Sequence, residues 1–459
     1  MKEEKLFHNL SALNAKDSNL HQQVKHNLDH YFKRHENAKS QFLDLENARQ
    51  RAAAIKNKTL DRLDEYLLDF EKKFLENGGK IIWADTIEEA QQAIKEIISS
   101  RKIKSIVKSK SMVSEEIKLN DFLKDLGVEN WETDLGEFIQ QISHEPPFHL
   151  VTPSIHKSES EIAKLFRDYF SREDIYGAND ITQAAKLFLR QKFNTADAFV
   201  SGANFLLADI GGIAITENEG NVLLGANNCK THIVISGIEK VIPSVNDLEL
   251  FWPLLSSYGT GQKITVYNSV FCGPSQFPAS ENLEERVLIL LNNGRTDVLA
   301  QKKQRKALGC IRCGACLNVC PVYKTIGGHS YGTVYNGPIG KVLNPWMHKL
   351  EKFNHLSYAS SLCGACSTAC PVEIDLHKLI LENRKDIHKK GKEPIAEKIS
   401  WFVWKEAMMS RNKMNLGGPK AKNFLLKTFF EKSWGKDRDF PQLADKSFNE
   451  LYREKMGIK

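Results

Sequence analysis

The spacing of hydrophobic and polar positions changes character twice along this chain. From about residue 10 to residue 77, charged and apolar side chains intermix with no Pro or Gly until Gly78 and Gly79, and Leu43, Leu45, Ala48, Ala52 and Ile55 recur at roughly helical intervals. That pattern predicts an N-terminal helical segment over 1–77, a packing arm or hairpin. From Lys80 onward short apolar runs alternate with helical stretches. Residues 80–84 read as a strand and 86–99 as a helix, with Thr86 as N-cap and Glu88 and Glu89 in its first turn. Residues 105–108 read as the next strand, leading through Ser109, Lys110 and Ser111 into a helix that ends near Leu126. Further strands are expected at 198–200, 213–216, 232–236, 264–266 and 286–291. Strands separated by helices predict a mainly parallel α/β sheet, here assigned to a domain over 78–300. A basic connector at 301–306 opens a cysteine-rich module over 301–390. The segment 391–459 is basic and aromatic, with Trp401, Phe402, Trp404, Phe424, Phe429, Phe430 and Trp434. It reads as a helical tail that caps the module, with a docking surface as the alternative.

Composition narrows this picture only slightly. A chain of 459 residues holds two or three domains, and 41% hydrophobic content supports ordinary globular cores. The net charge of +7 arises from many charges of both signs and does not argue for nucleic acid. No run approaches the ~20 apolar residues of a membrane span. The polar start after Met1 is unlike a secretory leader, so the expectation is a cytoplasmic chain with no membrane span.

The cysteines change the picture most. Seven of nine fall in two runs, C-x2-C-x2-C-x3-C-P at 310–321 and C-x2-C-x3-C-P at 363–371. Shifting the chain by 50 positions lays 313–322 on 363–372, and both read C-G-A-C-x-x-x-C-P-V. The first run has the ligand spacing of two-cluster ferredoxins, in which the fourth cysteine of each run ligates the other run's cluster. That crossing assigns Cys310, Cys313, Cys316 and Cys370 to cluster one, and Cys320, Cys363 and Cys366 to cluster two. Ser360 stands where the repeat calls for a counterpart of Cys310. Three readings of cluster two stay open: a [3Fe–4S] cluster, a [4Fe–4S] cluster with a non-cysteine ligand such as Ser360, water or a substrate atom, or recruitment of Cys229 or Cys272. Zinc fits poorly, since seven cysteines do not divide into closed tetrahedral sites and C-x2-C-x2-C is too crowded. Cytosolic cysteines also argue against disulfides.

Outside the runs the candidates are weaker. Lys108 and Lys110, with Ser109 and Ser111, follow a strand and suit a small carboxylate; a solvated turn is the plain alternative. Glu132, Asp134 and Glu137 supply a general base if burial raises a pKa, and otherwise form a solvated helix start. His144, His149 and His156 are spaced too loosely for a metal site. Gly202, Gly211 and Gly212 suggest a tight loop near a ligand or a close strand–helix contact. Cys229 and Cys272 read as buried thiols. His329, Tyr331 and Tyr335 lie in a glycine-rich loop between the runs, shielding a cluster, facing a partner, or folded back on the module. No G-x-G-x-x-G follows a strand and no Walker A run is present, so no flavin or nicotinamide site is recognised.

Several stretches together carry a family resemblance: KSKSM at 108–112 with Glu115 and Glu116, ETDLGE at 132–137, HLVTPSIH at 149–156 and SGAN at 201–204. To these add Gly211 and Gly212, SGIEKV at 236–241, GRT at 294–296 and GGHSYGTVYNGPIG at 327–340. In order and spacing, over about residues 40–390, the chain resembles the lactate utilization protein B family. The resemblance implies an α/β LUD domain of the sugar-isomerase/CoA-transferase type with N-terminal helices, an α-helical ferredoxin-type dicluster module and a helical C-terminal tail. It implies two [4Fe–4S] clusters, with three cysteines in the second run as usual for the family. Gly212 stands where a serine or threonine is common. The implied role is electron transfer in a cytoplasmic system that oxidises L-lactate to pyruvate. The implied partners are a subunit with cysteine-rich CCG repeats and a smaller LUD-domain subunit. Two other readings stand beside it: a self-contained 2-hydroxy-acid oxidoreductase, and a cluster-bearing redox sensor or scaffold.

Overall fold

The N-terminal segment is broken by aspartates rather than by glycine or proline. A computed structural model describes residues 2–274, 283–390, 395–435 and 439–457. Four helices open the chain: α1 (Lys2–Asn14), α2 (Ser18–Lys39), α3 (Leu45–Asp61) and α4 (Leu63–Glu76). Asp17 caps α2 by accepting the Leu20 amide at 3.0 Å, and Asp44 caps α3 by accepting that of Asn47 at 2.9 Å. These helices tie the later parts of the chain together. The Tyr31 hydroxyl donates to the Tyr258 carbonyl at 2.6 Å, Asn14 Nδ2 donates to the Ile326 carbonyl at 2.9 Å, and Arg49 Nη2 donates to the Cys370 carbonyl at 3.0 Å.

Among the described residues ten strands follow: β1 (Lys80–Ala84), β2 (Ser105–Lys108), β3 (Glu129–Glu132), β4 (Ala198–Ser201), β5 (Phe205–Leu207), β6 (Gly212–Glu217), β7 (Thr231–Gly237), β8 (Val241–Ile242), β9 (Tyr267–Phe271) and β10 (Glu285–Leu291). Six form a wholly parallel sheet in the order β1-β10-β7-β4-β2-β3. The period-two alternation sorts its side chains. Ile233, Ile235, Val287 and Ile289 pack on the helix Ile87–Arg101, while Val234, Leu288 and Leu290 pack on Phe70 and Phe74 of α4 and the helices after β3. Thr86 caps the helix Ile87–Arg101, its hydroxyl accepting the Glu89 amide at 3.1 Å.

The other four strands form a separate sheet, β8-β5-β6-β9, in which β6 runs antiparallel to both neighbours. The strand expected at 213–216 therefore belongs to a mixed sheet, not to the parallel one. The strand expected at 264–266 is displaced to β9. The Thr265 amide is held by Ser256 Oγ at 3.2 Å and the Val266 amide by Asn218 Oδ1 at 3.3 Å, so neither is available to a ladder.

The cysteine runs occupy short turns and helices, Ala315–Asn318, Pro321–Ile326, Gly337–His348, Leu350–Tyr358, Ala365–Thr368 and Leu376–Lys389. They share one apolar core with residues of α1, α2 and α3. The chain divides into two compact units, Met1–Lys389 and Lys390–Lys459. The second consists of the helices Ile395–Met408, Arg411–Asn415, Gly418–Trp434 and Phe448–Met456, with Trp401, Phe402, Trp404, Phe424 and Phe429 exposed. Among the described residues no helix is long and apolar enough to cross a membrane.

Candidate functional site

The two cysteine runs fold as structural copies. In the first, Arg312 adopts a left-handed φ of 62°, its amide points at Cys310 Sγ at 3.4 Å, and Gly314 follows at φ 75°. In the second, Leu362 adopts φ 55°, its amide points at Ser360 Oγ at 3.2 Å, and Gly364 follows at φ 84°. A left-handed arginine or leucine is strained, and both runs hold it in the same place. Ser360 thus sits in the turn position that Cys310 fills in the first run.

Cys310, Cys313, Cys316 and Cys370 line one small cavity, closed by Leu150, Ile339 and Ile374. This brings the last cysteine of the second run to the first. Amides serve the sulfurs: Ala315 N–H faces Cys313, and Val372 and Ile374 N–H face Cys370. Burial, then the neighbouring sulfurs, push the thiols of Cys313 and Cys316 up, and Cys370 is pushed up to about 12. A bound metal must displace those protons. The complementary group holds Cys320, Cys363 and Cys366, since the Cys366 thiol feels both Cys320 and Cys363. Lys341 Nζ lies 3.8 Å from Cys320 Sγ and the Tyr323 amide 3.5 Å from it. Cys363 is the exposed member.

The sulfur spacing discriminates between metals. Among the described residues no three cysteine sulfurs lie within 4.8 Å of one another. Tetrahedral zinc, with Zn–S of ~2.3 Å, draws its sulfurs to about 3.8 Å apart. All nine thiols are also free of disulfides. Wide-set sulfurs, inward amides and an apolar wall fit an iron–sulfur cluster. Cys229 and Cys272 have Asp197 and Arg286 as their charged neighbours and no cysteine.

Above the first run opens a cavity of about 1300 Å³. Its floor is the loops that leave the C-terminal ends of β2, β4 and β7, where parallel sheets place their ligands. Lys110, Asp134 and Gly202 line it, as do His149, Lys240 and Arg312. The structure thereby separates the lysine pair. Lys108 is 1% exposed, and its ammonium is held by Glu132 at 2.6 Å, Ser114 at 2.9 Å and Glu115 at 3.1 Å. Lys110 donates to the Val151 carbonyl at the cavity wall.

The three acids separate as well. Asp134 caps the helix Leu135–Ser143, whereas Glu132 and Glu137 are buried beside the half-buried Glu115 near Lys108. Burial, then repulsion from Glu132 and Glu115, raises Glu137 well above its ordinary 4.5, so Glu137 carries the proton while Glu132 stays paired to Lys108. Because the folded state binds this proton more tightly, the contribution of Glu137 to stability is fully present below about pH 4.5 and is lost as pH rises toward the raised value. Glu137→Gln is expected to flatten that decline in denaturant titrations across pH. Lys108→Met strands a buried carboxylate and is expected to cost about 3–5 kcal/mol.

The histidines have distinct places. His144 is an exposed left-handed helix cap. His149 is buried against Gly314, accepts the Val151 and Thr152 amides at 3.1 Å, and is lowered to about 3 by burial and Lys110. His156 does meet two other ligating groups despite the loose spacing: Glu145 at 3.0 Å and the ring of His329. Lys157 shares that carboxylate at 2.8 Å, and His329 bonds the Pro146 carbonyl. Tyr335 and Tyr331 are buried, so the glycine-rich loop is folded back on the core. Gly211 lies against the backbone of α4, where a Cβ would meet the Phe74 nitrogen at 2.3 Å, which makes it a strand–helix contact.

Sequence reasoning missed a buried ion network. Arg295 grips Glu116 with two bonds of 2.8 Å and Glu239 with one of 2.6 Å, and Arg312 Nη2 reaches Glu239 at 3.1 Å. The motifs SGIEKV and GRT contain Glu239 and Arg295, but partners so far apart in sequence are not read from either.

A parallel α/β domain fused to paired cysteine turns defines the class: a LUD domain model matches residues 67–290 and a 4Fe-4S dicluster domain model matches 306–374. Proteins described as lactate utilization protein B are its relatives. The one from Bacillus velezensis is 38% identical over 89% of this chain and 88% of its own. That from Bacillus subtilis is 39% identical over 87% and 86%, and that from Anoxybacillus flavithermus 42% identical over 75% and 74%. The chain belongs to the lactate utilization protein B family. A solved DUF162 family protein from Deinococcus radiodurans aligns over 50% of this chain and 98% of its own at 12% identity, with a TM-score of 0.29, too slight a likeness to argue from.

Proposed function

We infer that this protein is an iron–sulfur electron-transfer subunit of a system that oxidises L-lactate to pyruvate. The observation that carries the reading is the meeting of Cys370 with Cys310, Cys313 and Cys316 around one cavity, the crossed arrangement of two-cluster ferredoxins. These four hold the first cluster, and Cys320, Cys363 and Cys366 hold the second. Bound clusters supply one-electron transfer, so two of them match the two electrons that leave with two protons when a 2-hydroxy acid becomes a 2-oxo acid. Amides of 312, 315, 323 and 374 stabilise the sulfur charge, and Lys341 offsets charge at the second site. The exposed Cys363 makes the second site the natural exchange point with a partner.

Ser360 completes the second site as an oxygen ligand to a [4Fe–4S] cluster. Its support is the turn shared with Cys310. Ser360→Ala is expected to lose about one iron from that cluster in air, and Ser360→Cys to keep all four. Equal iron and identical Mössbauer spectra in all three proteins would remove Ser360 as a ligand.

The partners on this reading are the CCG-repeat subunit and the smaller LUD-domain subunit, and the compartment is the cytoplasm, which suits nine free thiols. The six-stranded sheet is assigned to the sugar-isomerase/CoA-transferase type. A second reading, a self-contained 2-hydroxy-acid oxidoreductase, is favoured by the large cavity beside the first run. Anaerobic mixing with L-lactate decides between the two. Cluster bleaching only when the companion subunits are present supports the electron carrier. Bleaching of this chain alone supports the oxidoreductase, and none in either case removes both.

A further inference from the structure

We propose that Lys240 and Arg312 form a carboxylate-binding site for a small organic acid at the end of the large cavity nearest the first cysteine run. The proposal rests on the electron-transfer reading for its purpose, though not for its geometry.

Lys240 ends the turn Ile238–Lys240 that follows β7. It is 7% exposed, lines the cavity, and has no hydrogen bond or ion pair with any described residue. A lysine side chain this buried normally has its charge paired within the protein. Its surroundings do not neutralise it. Burial, then the repulsion of Arg312, pushes Lys240 down to about 8, and nearby Lys56 donates only to the carbonyls of Glu239 and Val241. Glu239, the acid beside it, is already taken by Arg295 and Arg312.

Arg312 offers the second donor. Its guanidinium lies 4.5 Å from the Tyr335 ring centre, and Nη2 is spent on Glu239. Nη1 is buried with no partner. Two unspent cationic donors therefore border one cavity, and His149 Nε2, also buried and unpartnered, lies in the same wall. Other cations line the cavity too, but Lys110 is spent on the Val151 carbonyl and Lys157 on Glu145, while Lys33 and Arg34 are exposed. Asp134, Glu217 and Glu219 line it elsewhere, with Asp134 acting on both glutamates. Arg312 lies between Cys310 and Cys313 in the chain, and the charge of Cys310 acts on Lys240. A carboxylate seated there lies next to the sulfurs of the first run.

The competing account is that Lys240 merely balances the thiolates. Calorimetric titration of the anaerobically purified, full-length protein with L-lactate, pyruvate and inorganic phosphate, with the cluster potential measured in parallel, separates the two. Lys240→Met is expected to weaken lactate or pyruvate binding at least about tenfold, or about 1.4 kcal/mol, with iron content unchanged and the melting temperature not lowered. Lys240→Arg is expected to recover most of it. Unaltered binding in Lys240→Met with a shifted potential overturns the proposal in favour of charge balance. Binding of phosphate alone overturns the carboxylate assignment. Protein that binds lactate through Lys240 yet carries no iron keeps this site and removes the electron-transfer reading; iron-loaded protein without Lys240-dependent binding does the reverse.

Discussion

Cys370→Ala is expected to remove the cluster that belongs to the first run, although Cys370 lies in the second. Iron content should fall by about half. The reason is geometric: Cys370 shares its cavity with Cys310, Cys313 and Cys316, while Cys366 has Cys320 and Cys363 for neighbours. The spectroscopic centre lost in Cys370→Ala should therefore be the one lost in Cys316→Ala, and the double variant should lose nothing more. Cys320→Ala should remove the other centre, together with Cys366→Ala. Uncrossed ligation reverses the pairing: Cys370→Ala would then match Cys366→Ala. Iron analysis with EPR of the reduced proteins reads both patterns, and non-additivity within each set makes the result independent of partial loading.

Arg295→Met should be among the most destabilising single changes in the chain. Arg295 is 0% exposed and is the shared partner of Glu116 and Glu239, themselves buried. Burial works against ionising Glu239, but Arg295 and Arg312 outweigh it and hold the carboxyl at about 2. Removing the guanidinium strands buried carboxylate, at a cost of about 3–5 kcal/mol. Arg295→Lys keeps the charge but not the planar fork, and should recover only part. The pH dependence gives a second signature. In the wild type a carboxyl held near 2 contributes stability that is present above its ordinary 4.5 and is lost as pH falls through about 2. In Arg295→Met the freed carboxyls should instead titrate upward, so the deficit against wild type shrinks on acidification toward pH 5. A constant deficit across that range would mean that packing, not charge, is what Arg295 supplies.

The cysteine module was largely legible because its chemistry is local. Spacing within C-x2-C-x2-C-x3-C-P and the repeat at 50 positions carry the geometry of the turns, down to matching left-handed residues at 312 and 362. The parallel sheet was legible from β1, β2, β4, β7 and β10, whose apolar runs are continuous because both faces are covered. Glu129–Glu132 escaped notice because an edge strand of Glu-Asn-Trp-Glu has little apolar signal, and Val241–Ile242 because two residues carry no period. The second sheet was hidden for a related reason: its strands depend on antiparallel pairing between β5, β6 and β9, which no single run announces. At the site, sequence pointed at Lys108 and Lys110 alike, and only packing distinguishes the lysine locked by Glu132 from the one at the cavity. Lys240 and Arg312 sat inside recognised motifs without drawing notice, because an unpartnered charge is a property of the folded surroundings and not of a residue.

The most direct test of the central claim is an anaerobic redox titration of the purified protein followed by EPR, with iron and sulfide quantified. The expected result is about eight irons per chain and two one-electron centres, one of which disappears in Cys370→Ala. Protein that carries no iron after anaerobic preparation, or a single centre untouched by Cys370→Ala, would contradict the reading of these two runs as an electron-transfer module.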